Sequence, residues 1–311
     1  MNRPHVLVVG EALIDVVEEP TGLQRLHPGG SPANVALGLA RLGHFVELAT
    51  HIGSDPYGQL IEENLRRSGV RLAPGSVADG PTSTATATLD GQGGASYRFA
   101  INWDPPAVHG PGGPGHLHTG SIATALEPGC ARVEDMVAAA RASRTVSYDP
   151  NLRPALLGPP SYERPGVERL VASADVVKAS EEDLAWLHPG EDAADVAARW
   201  ARSGPAMVVL TRGGQGSTIY WGSAGRRDLP ARRVEVADTI GAGDSFMAGL
   251  LAGLLTAGLL GSNPSTLRAA MSGTELDPAV AAALDLAALT AAITCSRPGA
   301  DPPLLAEVLA A

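Results

Sequence analysis

Asp238-Thr-Ile-Gly-Ala-Gly-Asp244, followed by the uncharged apolar run from Ser245 to Leu260, is the stretch that decides the fold. It reads as a strand end, a glycine turn and a helix start. Gly241 and Gly243 permit unusual φ/ψ and close backbone approach, so the first N–H groups of the helix can point outward at an anion. Asp244 falls in the first turn of that helix. A carboxylate is an awkward neighbour for a phosphate unless it accepts a proton from whatever attacks that phosphate. Taken alone, Asp244 reads equally well as a partner of the helix dipole. The run behind it is roughly 16 residues, short of the ~20 a membrane-spanning helix needs, and glycines interrupt it, so it reads as a buried core helix.

Working outward, other apolar runs end in polar or glycine punctuation. Val6-Leu-Val-Val-Gly10 is the buried strand of a parallel sheet, and Glu11-Ala-Leu-Ile-Asp15-Val-Val reads as its continuation. Pro28-Gly-Gly-Ser-Pro-Ala-Asn34 opens a helix with two glycines, Ser31 as N-cap and Pro32 at N1, which projects Asn34 from the first turn. Strands at His116–Gly120, Thr145–Asp149, Asp175–Ser180 and Ala206–Thr211 run into Ser121, Arg153, Ser180-Glu-Glu-Asp183 and the glycine-rich loop Gly213 to Gly216. In a doubly wound parallel α/β sheet those ends share one rim, where Asp15, Gly29, Asn34, Arg153, Ser180, Gly213 and Asp244 converge. The whole chain, 1–311, then forms one α/β domain.

Between Thr82 and Ile101 the period changes to alternation with a turn at Asp90 to Gly94, a hairpin in a chain otherwise built of strand-helix units. With the segment near 14–28, the segment at 82–104 forms a small β-sheet lid over the cleft. Arg98, alternating with Tyr97 and Phe99, faces either the cleft or solvent, with solvent the default; Arg98 and Trp103 are the lid residues that would set the sugar choice by shape, and a Gly/Pro-rich linker at 110–115 leads back to the main sheet. Ser217–Trp221 and Arg232–Val236 read as outer strands.

Composition narrows the function classes. A formal charge of −10 and a pI near 5.2 disfavour nucleic-acid and anionic-membrane surfaces. Among 23 basic residues only Lys178 is a lysine, and no GxxxxGK[ST] loop is present, so a phosphate site must use glycine backbone, arginine and metal. Cys130 and Cys295 lack metal or disulfide spacing, which fits a reducing cytoplasm. The acidic N-terminal stretch does not read as a signal peptide. A dehydrogenase would need GxGxxG after the first strand, where Gly10-Glu-Ala-Leu-Ile-Asp15 lacks it.

Taken together, Gly29-Gly-Ser-Pro-Ala-Asn34 and Asp238-Thr-Ile-Gly-Ala-Gly-Asp244 resemble the two signatures of the ribokinase-like (PfkB) carbohydrate kinases. Gly53-Ser-Asp-Pro-Tyr-Gly58, Asp149-Pro-Asn-Leu-Arg153, Lys178-Ala-Ser-Glu-Glu-Asp183, Thr211-Arg-Gly-Gly-Gln-Gly216 and Arg297-Pro-Gly-Ala300 follow in the same order. Gly10-Glu-Ala-Leu-Ile-Asp15 and Leu117-His-Thr-Gly-Ser121 are most similar to the fructokinase branch. The resemblance implies transfer of the ATP γ-phosphate to a hydroxyl of a sugar, fructose first, with 2-keto-3-deoxygluconate, ribose or a nucleoside as alternatives; a catalytically silent sugar-binding regulator is the non-enzyme reading. By position it implies Asp244 as base, with the N–H groups of Ala242, Gly243 and Asp244, in the turn that begins at Gly241, forming the anion hole. Asp15, Gly29, Gly30, Asn34, Arg98 and Arg153 would face the sugar, and Lys178, Ser180, Thr211, Gly213 and Gly216 the nucleotide. Magnesium would ride on the ATP phosphates through water near Glu182 or Asp183, where the family usually shows Asn-x-x-Glu. Asp238 and Gly299 are the candidates for a monovalent cation such as K+, and the lid edge for a homodimer contact.

Overall fold

The computed structural model describes residues 5–19, 21–89, 95–108 and 115–311; the turn expected at Asp90 to Gly94 and most of the linker expected at 110–115 lie outside them. Apolar runs give a first strand β1 (His5–Val9) and, after a turn at Gly10, β2 (Leu13–Glu18); β3 (Gln24–Gly29) is mostly polar and exposed and pairs with β2. Helix α1 (Ser31–Arg41), β4 (Phe45–Ala49), β5 (Ile52–Gly53), α2 (Pro56–Arg67), β6 (Arg71–Leu72) and β7 (Val77–Ala78) follow. The hairpin strands are β8 (Thr84–Leu89) and β9 (Ala95–Ala100). Strand-helix alternation then resumes with β10 (His116–Gly120), α3 (Gly129–Arg141), β11 (Thr145–Asp149), α4 (Pro160–Ser173), β12 (Val176–Ser180), α5 (Glu181–Leu187), α6 (Ala193–Trp200) and β13 (Met207–Thr211). The chain ends with β14 (Ser217–Trp221), β15 (Gly225–Leu229), α7 (Ala242–Thr256), α8 (Pro264–Ala270), α9 (Pro278–Cys295) and α10 (Leu305–Ala310).

Nine strands form one sheet in the order β15-β14-β13-β12-β11-β10-β1-β4-β6, parallel from β13 to β6 and antiparallel at β14 and β15. Both faces are covered, because alternate residues of each central strand enter different cores. Val6 and Val8 pack with α1, α7 and α9 residues such as Leu39, Leu250 and Leu284, whereas Leu7 and Val9 join Val137, Leu170 and Trp200 from α3, α4 and α6. That two-sided burial is why these strands read as continuous apolar runs. From β1 the chain builds outward through β4 to β6, then returns to place β10 on the other side of β1. The carboxyl ends of β1 and β10 therefore flank the crevice where ligands of open α/β sheets bind.

Strands β3-β2-β8-β9 form a separate sheet of four. Glu11 to Val17 does not continue β1: the chain leaves the main sheet at Gly10 and enters this smaller one at Leu13, because Ile14 hydrogen-bonds Ser83 and pairs with Thr84. Asp15 accordingly sits in the smaller sheet, and the acid at the true end of β1 is Glu11. The expected outer strand at Arg232–Val236 is absent. Trp221 instead pairs with Gly225 across a tight turn containing Gly222, so β15 forms before Pro230 can intervene.

Helix α7 is buried on nearly all sides, as its composition demands. Its glycines are packing positions: a Cβ at Gly253 would lie 2.6 Å from Ala283 Cα and one at Gly249 2.3 Å from Thr290 Oγ1, both on α9. Helix α9 is long and apolar enough by composition to cross a membrane, yet its inner face carries Ala283, Ala287 and Thr290 onto α7. Thr290 Oγ1 also donates to the Ser245 carbonyl (2.9 Å) and Thr294 Oγ1 to Ser245 Oγ (2.8 Å), which fixes the first turn of α7.

Candidate active site

The crevice is built by close contacts. A Cβ at Gly10 would overlap Pro32 at 2.1 Å, and one at Gly120 would meet the Asp149 carbonyl at 2.0 Å, so β1 meets α1 and β10 meets β11 where glycine is required. Gly30, at φ 104°, turns the chain from β3 into α1. Two non-glycine residues at the strand ends hold positive φ, Ser121 (57°) after β10 and Asn151 (38°) after β11. Such backbone costs on the order of 1–3 kcal/mol and clusters where side chains must be aimed.

Asp244 lies at the centre. Its carboxylate is 8% exposed and is shared between helices: Ser31 Oγ donates to Oδ1 (2.7 Å), Asn34 Nδ2 to Oδ2 (2.8 Å), and Asn151 Nδ2 stands 3.5 Å from Oδ1. Burial raises its pKa above the ordinary aspartate value; the Asn34 and Ser31 donors oppose the rise, as do the charges of Lys178 and Arg153. Gly241, left-handed at φ 73°, turns the chain into α7, and a Cβ there would strike Ala300 at 2.5 Å. Ala242 N–H bonds the Thr239 carbonyl (3.2 Å), which leaves the N–H groups of Gly243 and Asp244 without acceptors among the described residues. The turn thus presents two open N–H donors.

Lys178, in the middle of β12, and Asp149, at the end of β11, are 4% and 1% exposed and form an ion pair of 2.9 Å. Burial works against the Lys178 ammonium, but the carboxylates of Asp149, Asp183 and Asp244 outweigh it and hold its pKa above the usual value. Burial lifts Asp149 to about 6 against the pull of Lys178. The ammonium lies 3.5 Å from where a Gly243 side chain would begin, so it faces the same turn as the open N–H groups. Asp183 is engaged otherwise: one oxygen accepts Leu152 N–H (2.7 Å), the other Ser180 N–H (2.9 Å) and Ser180 Oγ (2.7 Å), in a capping box at the start of α5. Glu181 and Glu182 are exposed in the same turn.

The remaining expected residues divide. A Cβ at Gly29 would fall 2.2 Å from Asp15 Oδ2, so Gly29 lies flat against that carboxylate. Burial raises the Asp15 pKa, while His27 and Arg153 oppose it. Arg153 is exposed and bonds Asn151 Oδ1 (2.7 Å), and its charge reaches Asp15, Glu11 and Asp244. Arg98 does not join them. It pairs with Thr86, and Thr86 with Val16, whereas Asp15 pairs with Ala85 and Ala85 with Phe99. Paired residues share a face, so Phe99 stands on the Asp15 side and Arg98 on the other, near Glu18. Trp103 is buried, its indole N–H donating to the Ala123 carbonyl (3.0 Å), and serves as a packing strut. Thr211 ends β13 beside Ser180, and Gly213 and Gly216 bound an exposed turn. Asp238 joins two loops: Oδ1 accepts Ile240 N–H (3.0 Å) and Oδ2 accepts Gly299 N–H (2.8 Å).

Sequence reasoning missed Ser31, Asn151 and Glu11 as site residues. Ser31 reads as a helix cap, yet Gly30 occupies that place and the hydroxyl goes to Asp244. Glu11 is 4% exposed; its Oε2 has no hydrogen-bond partner among the described residues. A further concavity of about 380 Å³ lies between Arg232, Arg233 and Val234 and the end of α9 at Leu289, Ala292, Ile293 and Ser296. The Arg-Arg pair ahead of the opening motif is its signal in the sequence.

Glu11 has a measurable consequence. Burial raises its carboxyl from 4.5 to about 7, against a hydrogen bond from Ser121, so the folded protein binds this proton more tightly than the unfolded chain. The stabilisation is complete below pH 4.5 and is lost as pH rises through about 7. Glu11→Gln should therefore melt a few degrees higher than the parent at pH 8.5, with the gap closing by pH 5, a shift on the order of 1–3 kcal/mol. Equal melting differences at both pH values in a thermal-denaturation series contradict this.

Known proteins resemble this chain in sequence and in fold. The chain is 35% identical over 268 residues to a fructokinase from Klebsiella pneumoniae, covering 82% of this chain and 85% of that protein. It superposes with a TM-score of 0.85 on a fructokinase with bound ATP from Xylella fastidiosa, at 26% identity and with 99% and 98% of the two chains covered. A double-mutant fructokinase from Vibrio cholerae O395 with fructose, ADP and potassium ion bound gives 0.78 at 26% identity, with 100% and 99% covered. The fold is ribokinase-like, the enzyme a sugar phosphotransferase. The pfkB family carbohydrate kinase model matches residues 3–307, and the chain belongs to that family.

Proposed function

We propose that this enzyme transfers the γ-phosphate of ATP to a hydroxyl of fructose in the crevice between β1 and β10. The observation that carries the reading is the placement of Asp244, whose carboxylate meets donors from α1 while the two open N–H groups of its own helix turn lie beside it. Likeness to fructokinases supports the substrate, and the ATP and fructose bound to relatives support the pair of ligands. Asp15, Gly29, Gly30 and Asn34 line the sugar side. On this reading the N–H groups of Gly243 and Asp244, with the Lys178 ammonium, receive the transferring phosphoryl group. The nucleotide runs past Thr211 and Gly213 toward the concavity at Arg232 and Arg233.

The hydroxyl oxygen forms a bond to the γ-phosphorus as the bond from that phosphorus to the β–γ bridging oxygen breaks. The hydroxyl proton passes to Asp244, and ADP leaves with the bridging oxygen. An ordinary aspartate with a pKa of about 3.9 is a feeble base at neutral pH. Burial makes Asp244 a better one, and a loose transfer needs the carboxylate chiefly to aim the nucleophile.

Among the described residues no three His, Cys, Asp or Glu side chains gather into a metal cage. Magnesium would be carried on the ATP phosphates through water, with Glu182, exposed at the start of α5, beside its water shell while Asp183 is spent on the cap. When bound, magnesium neutralises charge on the transferring group. The Gly299 N–H donates to Asp238 Oδ2 and braces the two loops, and the remaining lone pairs of that carboxylate with backbone carbonyls near Gly299 are the oxygens a monovalent cation, such as the potassium bound in a relative, would use.

An ADP-coupled assay over free sugars, 2-keto-3-deoxygluconate and nucleosides tests the assignment. D-fructose should give the highest kcat/KM. A preference for another acceptor by tenfold or more contradicts the substrate, and no ADP release with any acceptor contradicts catalysis.

A further inference from the structure

Both oxygens of the Asp244 carboxylate are engaged from one turn of α1, and the two donors are not equivalent. Asn34 is half-buried and its amide carries a second N–H, so it can bond Asp244 and a substrate hydroxyl together. Ser31 is 7% exposed, has one hydroxyl proton, and gives it to Oδ1 at 2.7 Å. Its backbone is fixed on both sides. Gly30 is held by β3 and the Glu11 carbonyl, which a Cβ there would approach to 2.5 Å, and Pro32 is packed onto Gly10.

We propose that Ser31 is a positioning residue for phosphoryl transfer, its hydroxyl locking Asp244 Oδ1 so that Oδ2 is the atom that receives the proton of the attacking hydroxyl. The inference rests on the reading of Asp244 as proton acceptor. It gives the serine a role distinct from helix capping, since its hydroxyl makes no bond within α1.

The electrostatics of the pocket give this bond a second consequence. Asp244 faces Ser31 and Asn34 from α1, the Lys178 ammonium from β12, Asp149, Asn151 and Arg153 from the end of β11, and Glu11 from the end of β1. Burial and the carboxylates of Glu11 and Asp149 favour the protonated acid; the two donors and the two cations favour the carboxylate. Deleting one charge-assisted donor moves that balance toward the acid. It also frees the carboxylate to rotate away from the line of attack.

The test is the pH profile of kcat/KM for the sugar in Ser31→Ala, Ser31→Thr and Asp244→Asn. In Ser31→Ala, kcat should fall roughly tenfold with KM for sugar and ATP within about twofold, and the acid limb should move up by about one pH unit. Ser31→Thr, which restores a hydroxyl, should bring the limb back toward the parent. An acid limb in Ser31→Ala that coincides with the parent overturns the proposal, whatever happens to kcat. Asp244→Asn separates the two layers: near-normal turnover there removes the proton-acceptor reading itself. A dead Asp244→Asn beside an unshifted Ser31→Ala removes only the role of Ser31.

Discussion

Asp244→Asn should lower kcat by about 10²–10⁴-fold, the range for loss of a positioned general base, while leaving sugar affinity within a few-fold. The asparagine fits the same space and keeps one oxygen for a donor, so α1 and α7 stay joined. What it loses is the capacity to take a proton, and it places an amide N–H where one of Ser31 or Asn34 now donates. A modest loss of stability is therefore expected along with the large loss of turnover. Turnover by ADP release and sugar affinity by calorimetry distinguish the two. Loss of sugar binding in a folded variant would make Asp244 a binding residue instead.

The second large effect belongs to Lys178. It is the one lysine of the chain and is buried in an ion pair of 2.9 Å with Asp149. Lys178→Met leaves that carboxylate buried without its partner, which costs about 3–5 kcal/mol, enough to show plainly in a denaturant midpoint. Turnover should also fall by more than about 10²-fold, because the ammonium beside the Gly243 turn is a preorganised charge for the transferring group. Stability and chemistry separate in the double variant Lys178→Met with Asp149→Leu. Removing both charges should recover most of the midpoint and none of the turnover. Recovery of turnover with stability would reduce Lys178 to a folding role.

The legible parts of this protein were local ones. Gly29 to Asn34 and Asp238 to Asp244 each carry their own turn, cap and helix start, so position and geometry travel together in a few residues. The rim followed from the rule that strand ends of a parallel sheet face one side. Long-range pairing was hidden. Ser31 and Asp244 are 213 residues apart, and nothing in either segment names the other as partner. Arg98 failed for a matter of parity: in a strand, a shift of one residue exchanges the faces, and only the pairing of Thr86 with Arg98 settles which face it takes. Glu11 failed because the apolar residues Ala12 to Ile14 disguise the point where the chain leaves one sheet for another. Asp183 was expected, with Glu182, at the magnesium water shell, but its carboxylate is spent on backbone and hydroxyl donors from Ser180 and Leu152.

The Gly-Ala-Gly-Asp244 turn works through what braces it. Thr290 and Thr294 tie Ser245 to α9, and Ser31 and Asn34 tie Asp244 to α1. A site held from three helices can keep two N–H groups and a carboxylate aimed without a ligand present, the preorganisation that phosphoryl transfer rewards.

The most direct test of the central claim is a crystal structure with D-fructose and a non-hydrolysable ATP analogue bound together. The account predicts the γ-phosphate on the N–H groups of Gly243 and Asp244, and one fructose hydroxyl within about 2.6–3.2 Å of Asp244 Oδ2, the reach of a general base. A fructose hydroxyl nearest some other carboxylate, or a γ-phosphate away from the Gly243 turn, would contradict it.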